Sequence, residues 1–454
     1  MNCSINYRQI GWLLLWPGFA LGALNAQPVR SVPPVPLDTL SPGIRPLPVD
    51  ELLKLGRENN LSLKAARLRE QQAEAQEKTA RTARWADISA GATVGYLGPT
   101  TLFRQGLSRP SHPAHPDWSH NYNLEVTQPL YRGGKIRHAI RKAELEKQTA
   151  TLQTAADQAE IKLLLLGYYL DLFNLYKEKE VWQRTVEESR RRLKDIRHMR
   201  KEGLVTRNDE IRSQLQLTND RLALRQTTDN IILVSQQLDL LAGLDEETII
   251  LPDTSLFTTV PPLAACDTYI RDAYLNYPEL SIARHATRLA RNELEMTRSD
   301  YLPALSLRAA NTLARPLSTT MQDLFSNNWN IALTLSYSLS SLYQNPPKMQ
   351  AGRQYIRLRQ NAEEQLRQDL RQQVRTAYIK HQEALDRVNA LRLSVEQAEE
   401  NYRIVNNRYK NQLSILTDLL DASNVRLEAE LYLTHARTEV LSTYYQLLRA
   451  SGLL

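Results

Sequence analysis

One stretch of this chain occurs a second time in altered spelling. "NNLSLKAARLREQQAEAQEKTARTARWADISAGATV" begins at Asn59, and "YPELSIARHATRLARNELEMTRSDYLPALSLRAANT" begins at Tyr277. Each reads as a helix that runs into an alternating strand. Further along, Gly203-Leu204-Val205-Thr206-Arg207-Asn208-Asp209 is echoed by Gln412-Leu413-Ser414-Ile415-Leu416-Thr417-Asp418. Both copies lie between a long helical tract and a shorter one. Duplication constrains a fold strongly, because both copies must solve the same packing problem. Each half reads as short helix, strand, loop, strand, long helix, turn, short helix. The first repeat covers 49–242, with pieces near 52–85, 87–97, 120–130, 133–201 and 207–242. The second covers 266–454, with pieces near 266–299, 304–313, 328–341, 347–411 and 414–449. A proline-bearing linker, 243–265, joins them.

The helix lengths carry the next step. At about 1.5 Å per residue, each long helix reaches about 100 Å, wider than any globular core. In each half the two shorter helical tracts together run about as far as the long one, so they can stack end to end beside it. Two such units make a four-column antiparallel coiled-coil wall. The 16 Gly and 21 Pro of the 454 residues are bunched, which suits long helices. Mean hydropathy is −0.45, and no internal apolar run approaches the roughly 20 residues of a spanning helix. A polytopic helical membrane protein is thereby excluded.

The N-terminus differs. Arg8, an apolar run from Ile10 to Leu24 and the small residue Ala26 predict a secretory signal peptide over 1–26, with a membrane anchor as the alternative. A Pro-rich leader, 27–48, follows as an extended tether. Cys3 precedes the apolar run, where a lipidated cysteine would follow it. The mature chain keeps only Cys266, so it has no internal disulfide and no thiol metal motif. The net charge of +7 is spread along the helices, which reads as a solvated face and not as a nucleic-acid surface.

Trp329, Ile331, Leu333, Leu335, Tyr337 and Leu339 alternate with Asn328, Asn330, Ala332, Thr334, Ser336 and Ser338. Period two over about twelve residues predicts a strand. Ile88 to Tyr96, Tyr122 to Val126 and Leu305 to Ala309 alternate more weakly. Aromatics near the strand ends, with Trp85, Trp118 and Tyr343 close by, suit interfacial girdles. Alternation alone fits a soluble hairpin equally well. The strand count is more informative. Four strands cannot close a membrane barrel, and an open edge is not tolerated in lipid. Either the sheet lies outside a membrane or several chains close it together; three would supply twelve strands and twelve helix columns.

This architecture resembles the TolC family of outer-membrane efflux proteins over nearly the whole mature chain. Tyr277-Pro278-Glu279-Leu280 and Tyr301-Leu302-Pro303-Ala304-Leu305-Ser306-Leu307 are similar to the family's helix-to-strand pattern. Gln128-Pro129-Leu130-Tyr131-Arg132-Gly133-Gly134-Lys135 is similar to its strand-to-helix turn, where glycine allows a sharp change of direction. The second repeat has Tyr343-Gln344-Asn345-Pro346-Pro347-Lys348 at that turn, with proline compatible with a helix start. The resemblance implies a mainly helical fold with membrane β-strands. It implies a homotrimer that closes a 12-stranded barrel in the outer membrane on an α-helical tunnel through the periplasm. It also implies a periplasmic adaptor and an inner-membrane transporter as partners, outer-membrane lipid around the barrel, and no cofactor. Any belt around the tunnel would come from the linker and leader.

A duct needs no acid–base chemistry. The sequence carries no His-Glu-x-x-His, Cys-x-x-Cys, nucleophile elbow or phosphate-cradling loop. His112, His115 and His120 with Asp117 form one metal-capable cluster, which a polar, proline-punctuated surface loop explains equally well. The resemblance assigns adaptor docking to the tips, Gly203, Leu204 and Val205 on one and Gln412 and Leu413 on the other. Gly203 also suits a helix C-terminus. Asp418 and Asp421, three residues apart, share a helix face. Ser414 or Thr417 could cap that helix, and Asp418 favours its positive end. The resemblance places a periplasmic gate at Asp418, Asp421 and Tyr409, with Asp209 the acid of the first tip. The family's arginine partner falls on Ser414, so that lock is missing. Other readings are a type I secretion duct, a structural coiled coil, or an adaptor, although no lipoyl-like module flanks a single hairpin.

Overall fold

The structure, a computed structural model, describes residues 43–99, 101–112, 116–253, 263–316 and 322–454. The expected signal peptide, residues 27–42 of the leader, His115 and residues 254–262 of the linker lie outside the described residues. The first half runs β1 (Ile44–Leu47), α1 (Val49–Asn59), α2 (Leu61–Thr82), β2 (Asp87–Tyr96), β3 (Leu102–Gln105), β4 (Ser108–Ser111), β5 (Trp118–Arg132), α3 (Lys135–Lys201) and α4 (Arg207–Ala242). Then come β6 (Ile249–Pro252), α5 (Cys266–Asn276), α6 (Pro278–Ser299), β7 (Ala304–Arg315), β8 (Ser326–Ser336), α7 (Ser341–Lys410) and α8 (Leu416–Ala450).

Several details depart from the sequence reading. The tracts near 52–85 and 266–299 are each two helices. Asn60 leaves the helical region, its side chain accepts from the backbone N–H groups of Ser62 and Leu63, and so it caps α2. Pro278 opens α6 and pushes Tyr277 into the extended region. The loop expected between the first two strands contains the β3–β4 hairpin. The helix expected from 347 starts at Ser341, so Pro346 and Pro347 sit inside α7.

α3 has 67 residues and α7 has 70. α1 (11 residues), α2 (22) and α4 (36) together run about the length of α3 and pack along it. α5, α6 and α8 do the same beside α7, and α6 and α8 also touch α3. The wall therefore has four columns, with α2 and α4 on one edge and α7 on the other. Burial follows this order. Along all of α3 one large apolar side chain, Leu164, is exposed. The shorter α4 exposes Ile211, Leu215, Leu222, Ile232, Leu233 and Leu240. α7 exposes Tyr355, Leu358, Ile379, Leu393 and Ile404 along its shaft.

The strands form one antiparallel sheet in the order β2-β5-β7-β8. Ile88, Val126, Ala309 and Ile331 lie in one cross-strand row, and Ser89, Glu125, Ala310 and Asn330 in the next. Successive rows point to opposite faces. One face is apolar yet open: Ile88, Ile331, Leu333 and Leu335 are all more than 60 % exposed. The other is polar, with Arg308 donating to Glu125 at 2.6 Å. Tyr96 and Trp118 meet edge to face at the far end, at 5.7 Å. Trp85, Tyr131 and Tyr343 are exposed near the helical end. Gly133 (φ +59°) and Gly134 (φ +87°) turn β5 into α3. A Cβ on Gly133 would stand 2.5 Å from the Ser299 carbonyl oxygen, so only glycine fits there.

At mid-height, β1 pairs in parallel with β6. Leu47 and Ile250 are fully buried among Leu52, Leu165, Leu166, Tyr169 and Leu238. The Tyr169 hydroxyl donates to the Leu47 carbonyl at 2.9 Å and accepts from the Asp253 N–H at 2.7 Å, tying both strands to α3. The end of the leader and the start of the linker thus meet as one ribbon. Nearby Asp239 is fully buried and neither carboxyl oxygen has a partner. Burial, reinforced by Asp245 and opposed by Arg45, pushes its carboxyl up to about 7.

Candidate functional site

The tips opposite the sheet are built from one backbone pattern. α3 ends with Leu204 N–H on the Met199 carbonyl (2.9 Å) and Gly203 N–H on that of Arg200 (3.1 Å). α7 ends with Leu413 N–H on Arg408 (2.8 Å) and Gln412 N–H on Tyr409 (3.0 Å). Both are Schellman ends, and both need a left-handed residue. Gly203 supplies it at φ +72°, Gln412 at φ +60° despite its side chain. Leu204 and Leu413 then project as matched exposed leucines, 54 % and 68 % accessible. Val205 is drawn inward onto the tip cluster.

The next helix starts differ. At the first tip Thr206 accepts from the Asp209 N–H (3.2 Å), and Asp209 accepts from the Thr206 N–H (2.9 Å) and hydroxyl (2.7 Å). That is a complete capping box. Glu210, beside it, receives Arg200 and Arg197, which hold its carboxyl below its ordinary value. At the second tip neither Ser414 nor Thr417 caps α8. The N-cap position falls on Ile415, which has no side-chain acceptor. Ser414 sits one residue too early and donates instead to Asp418 at 2.7 Å. Thr417 lies inside the first turn and accepts from Arg212 at 2.7 Å.

Asp418 and Asp421 are exposed on the same side of the first turns of α8. Tyr409 stands apart from them. It is buried with Ile196, Leu416 and Leu419, and its hydroxyl has no partner. Burial and the charge of Asp209 push its phenol up, while Arg192 opposes. The structure therefore brings Tyr409 near Asp209, and Asp418 near Ser414, without joining the two pairs. Sequence reasoning missed the polar seam between the hairpins: Arg192 to Ser423 (3.0 Å) and Arg212 to Thr417. These partners are far apart in the chain, and nothing local pairs Arg212 with Thr417.

The histidine loop resolves differently. His120 stacks on Tyr122 at 6.4 Å and lies 6.0 Å from the Phe325 ring. Among the described residues no group of three or more His, Cys, Asp or Glu side chains is placed to hold a metal. No described helix is long and apolar enough to cross a membrane.

A four-column wall of long helices, a small sheet with an open apolar face and two helix-turn-helix tips at the opposite end make up the fold. Residues 52–244 and 269–453 match the sequence family described as outer membrane efflux protein, and the chain belongs to that family. Its fold is shared with the outer-membrane channel OprN (TM-score 0.75, 16 % identity, 89 % of each chain covered). It is shared also with the outer membrane protein VceC of Vibrio cholerae (TM-score 0.74, 16 % identity, 89 % of this chain and 96 % of that one). A curated relative, the alkaline protease secretion protein AprF of Pseudomonas aeruginosa, is 25 % identical over 255 residues. That match spans 56 % of this chain and about half, 53 %, of the relative.

Proposed function

We propose that three copies of this chain close into an outer-membrane duct that crosses the periplasm and serves as the exit of an efflux pump. The observation that carries this reading is the sheet. It presents an apolar face to the outside and leaves β2 and β8 without a further strand among the described residues. In lipid that edge must be paired, and joining β8 of one copy to β2 of the next satisfies it. Twelve strands then form the barrel. The helix wall supports the same closure, since its exposed apolar residues concentrate on the edge columns α4 and α7. Membership in the outer membrane efflux protein family supports outward traffic.

In the closed ring, the acids Asp418 and Asp421 of three chains surround one opening as a cation-binding, charge-sensitive constriction. Leu204 and Leu413, with Gly203, Val205 and Gln412 shaping their turns, dock a periplasmic adaptor that recruits an inner-membrane transporter. The protease-secretion relative supports a second reading, the duct of a type I secretion system. The test of the duct is heat-sensitive trimer in outer-membrane fractions, followed by single-channel recording. A monomer that partitions with soluble periplasmic protein would sink it. Asp418→Ala with Asp421→Ala is expected to abolish block by divalent cations.

A further inference from the structure

Where the sheet meets the helices, its polar face ends in a cavity of about 510 Å³, the size of a small-molecule site. Arg132, Ala304 and Ser336 form the last cross-strand row of this face, the one that also carries Arg308 and Glu125. The start of α7 lines the cavity from the helical side. Three cations border it. Lys135 is spent on Asp300 at 2.8 Å. Arg132 and Lys348 have no carboxylate partner among the described residues, so two positive charges stand uncompensated. Ser306 and Ser336 add hydroxyls with no side-chain hydrogen bond among the described residues. Asn345, in the first turns of α7, borders the same cavity, is 2 % exposed, and its Nδ2 has no partner. A buried amide that donates to nothing is rare in folded proteins and points to a group the site is built to receive.

We propose that this cavity binds a phosphate monoester with a small polar body, of the sugar-phosphate class. Its placement rests on the duct reading: there the polar face lines the passage, and three copies set three such sites where the barrel opens onto the helical tunnel. The charges match, since a phosphate monoester carries about −1.5 to −2 near pH 7 against Arg132 and Lys348. Arg132 offers a planar fork to two phosphate oxygens, and Lys348 a point charge. Asn345 Nδ2 and the hydroxyls of Ser306 and Ser336 supply neutral donors. The cavity is far larger than one tetrahedral oxyanion, which leaves room for the body of the ester. Serine and amide side chains around that room suit a hydroxylated body better than an apolar one. The site is a resting place for anionic cargo on its way out.

The test is equilibrium dialysis of the purified full-length protein against radiolabelled glucose 6-phosphate. Saturable binding is expected, which glucose does not displace and inorganic phosphate displaces only in about tenfold excess. Arg132→Gln and Lys348→Gln are each expected to weaken it about tenfold. Arg137→Gln removes a positive charge outside the cavity and is expected to leave binding unchanged. Gels that show parental assembly of each variant separate lost binding from misfolding. If glucose 6-phosphate binds no better than glucose, or binds the double variant Arg132→Gln, Lys348→Gln as it binds the parent, the site is not there. Inorganic phosphate competing on equal terms would strike out the ester body and leave a free-phosphate site. Trimeric channels without binding overturn the site and spare the duct, and a soluble monomer that binds does the reverse.

Discussion

The two halves share a backbone plan and differ in how it is secured. At the first tip the left-handed position is glycine and the next helix is boxed by Thr206 and Asp209. At the second, the same position is Gln412 and the N-cap is the bare Ile415. At the sheet end the first half turns on Gly133 and Gly134, whereas among the described residues the second-half turn has no left-handed residue. At mid-height, four residues before the glycine that ends each short column, the first half has Asp239 and the second Leu448. Duplicated topology thus fixes where turns fall, while individual side chains decide how firmly each is held. The less firmly held tip is the one that carries the paired acids.

The contrast can be broken in order of expected effect. Gly133→Ala forces a Cβ against the Ser299 carbonyl at a positive φ, so a loss of roughly 2–4 kcal/mol and poor trimer assembly are expected. Tyr343→Ala, at the second-half turn, is expected to leave assembly on gels near the parent. Next comes pH. The Asp239 carboxyl is raised from 3.8 to about 7, so the folded state holds its proton more tightly than the unfolded chain. Stability from this group is whole below about 4 and drains away as pH rises from there through about 7. Asp239→Leu, which copies Leu448, is expected to flatten that dependence in denaturation measured from pH 4 to 8.

Smaller effects fall on the tips. Thr206→Ala removes the box and is expected to cost about 1 kcal/mol, read as faster amide exchange over 207–210. The same measurement at 416–419 should not respond. Gln412→Gly relieves the left-handed strain and is expected to stabilise the second tip by about 0.5–1 kcal/mol. If that variant exchanges no more slowly at the second tip, the asymmetry drawn between the two tips is wrong.

The long helices, the four sheet strands and the place of the tips were legible in periodicity and repetition. The column breaks were legible in principle, since Asn60 and Pro278 are ordinary punctuation that a continuous apolar pattern hid. The β1–β6 ribbon was not, because two four-residue strands some 200 residues apart leave no local signature. The candidate site divides the same way. The acids announced themselves by spacing, but Tyr409 turned out to face the tip cluster. The Arg212–Thr417 contact depends on how two hairpins lie together, which no window of sequence contains.

The breaks at Asn60 and at Tyr277 are matched in the two short columns, and α3 and α7 run past them uninterrupted. Each joint is thus splinted by a continuous helix alongside it. A wall laid this way flexes like a leaf spring, spreading deflection along its length instead of folding at one crease.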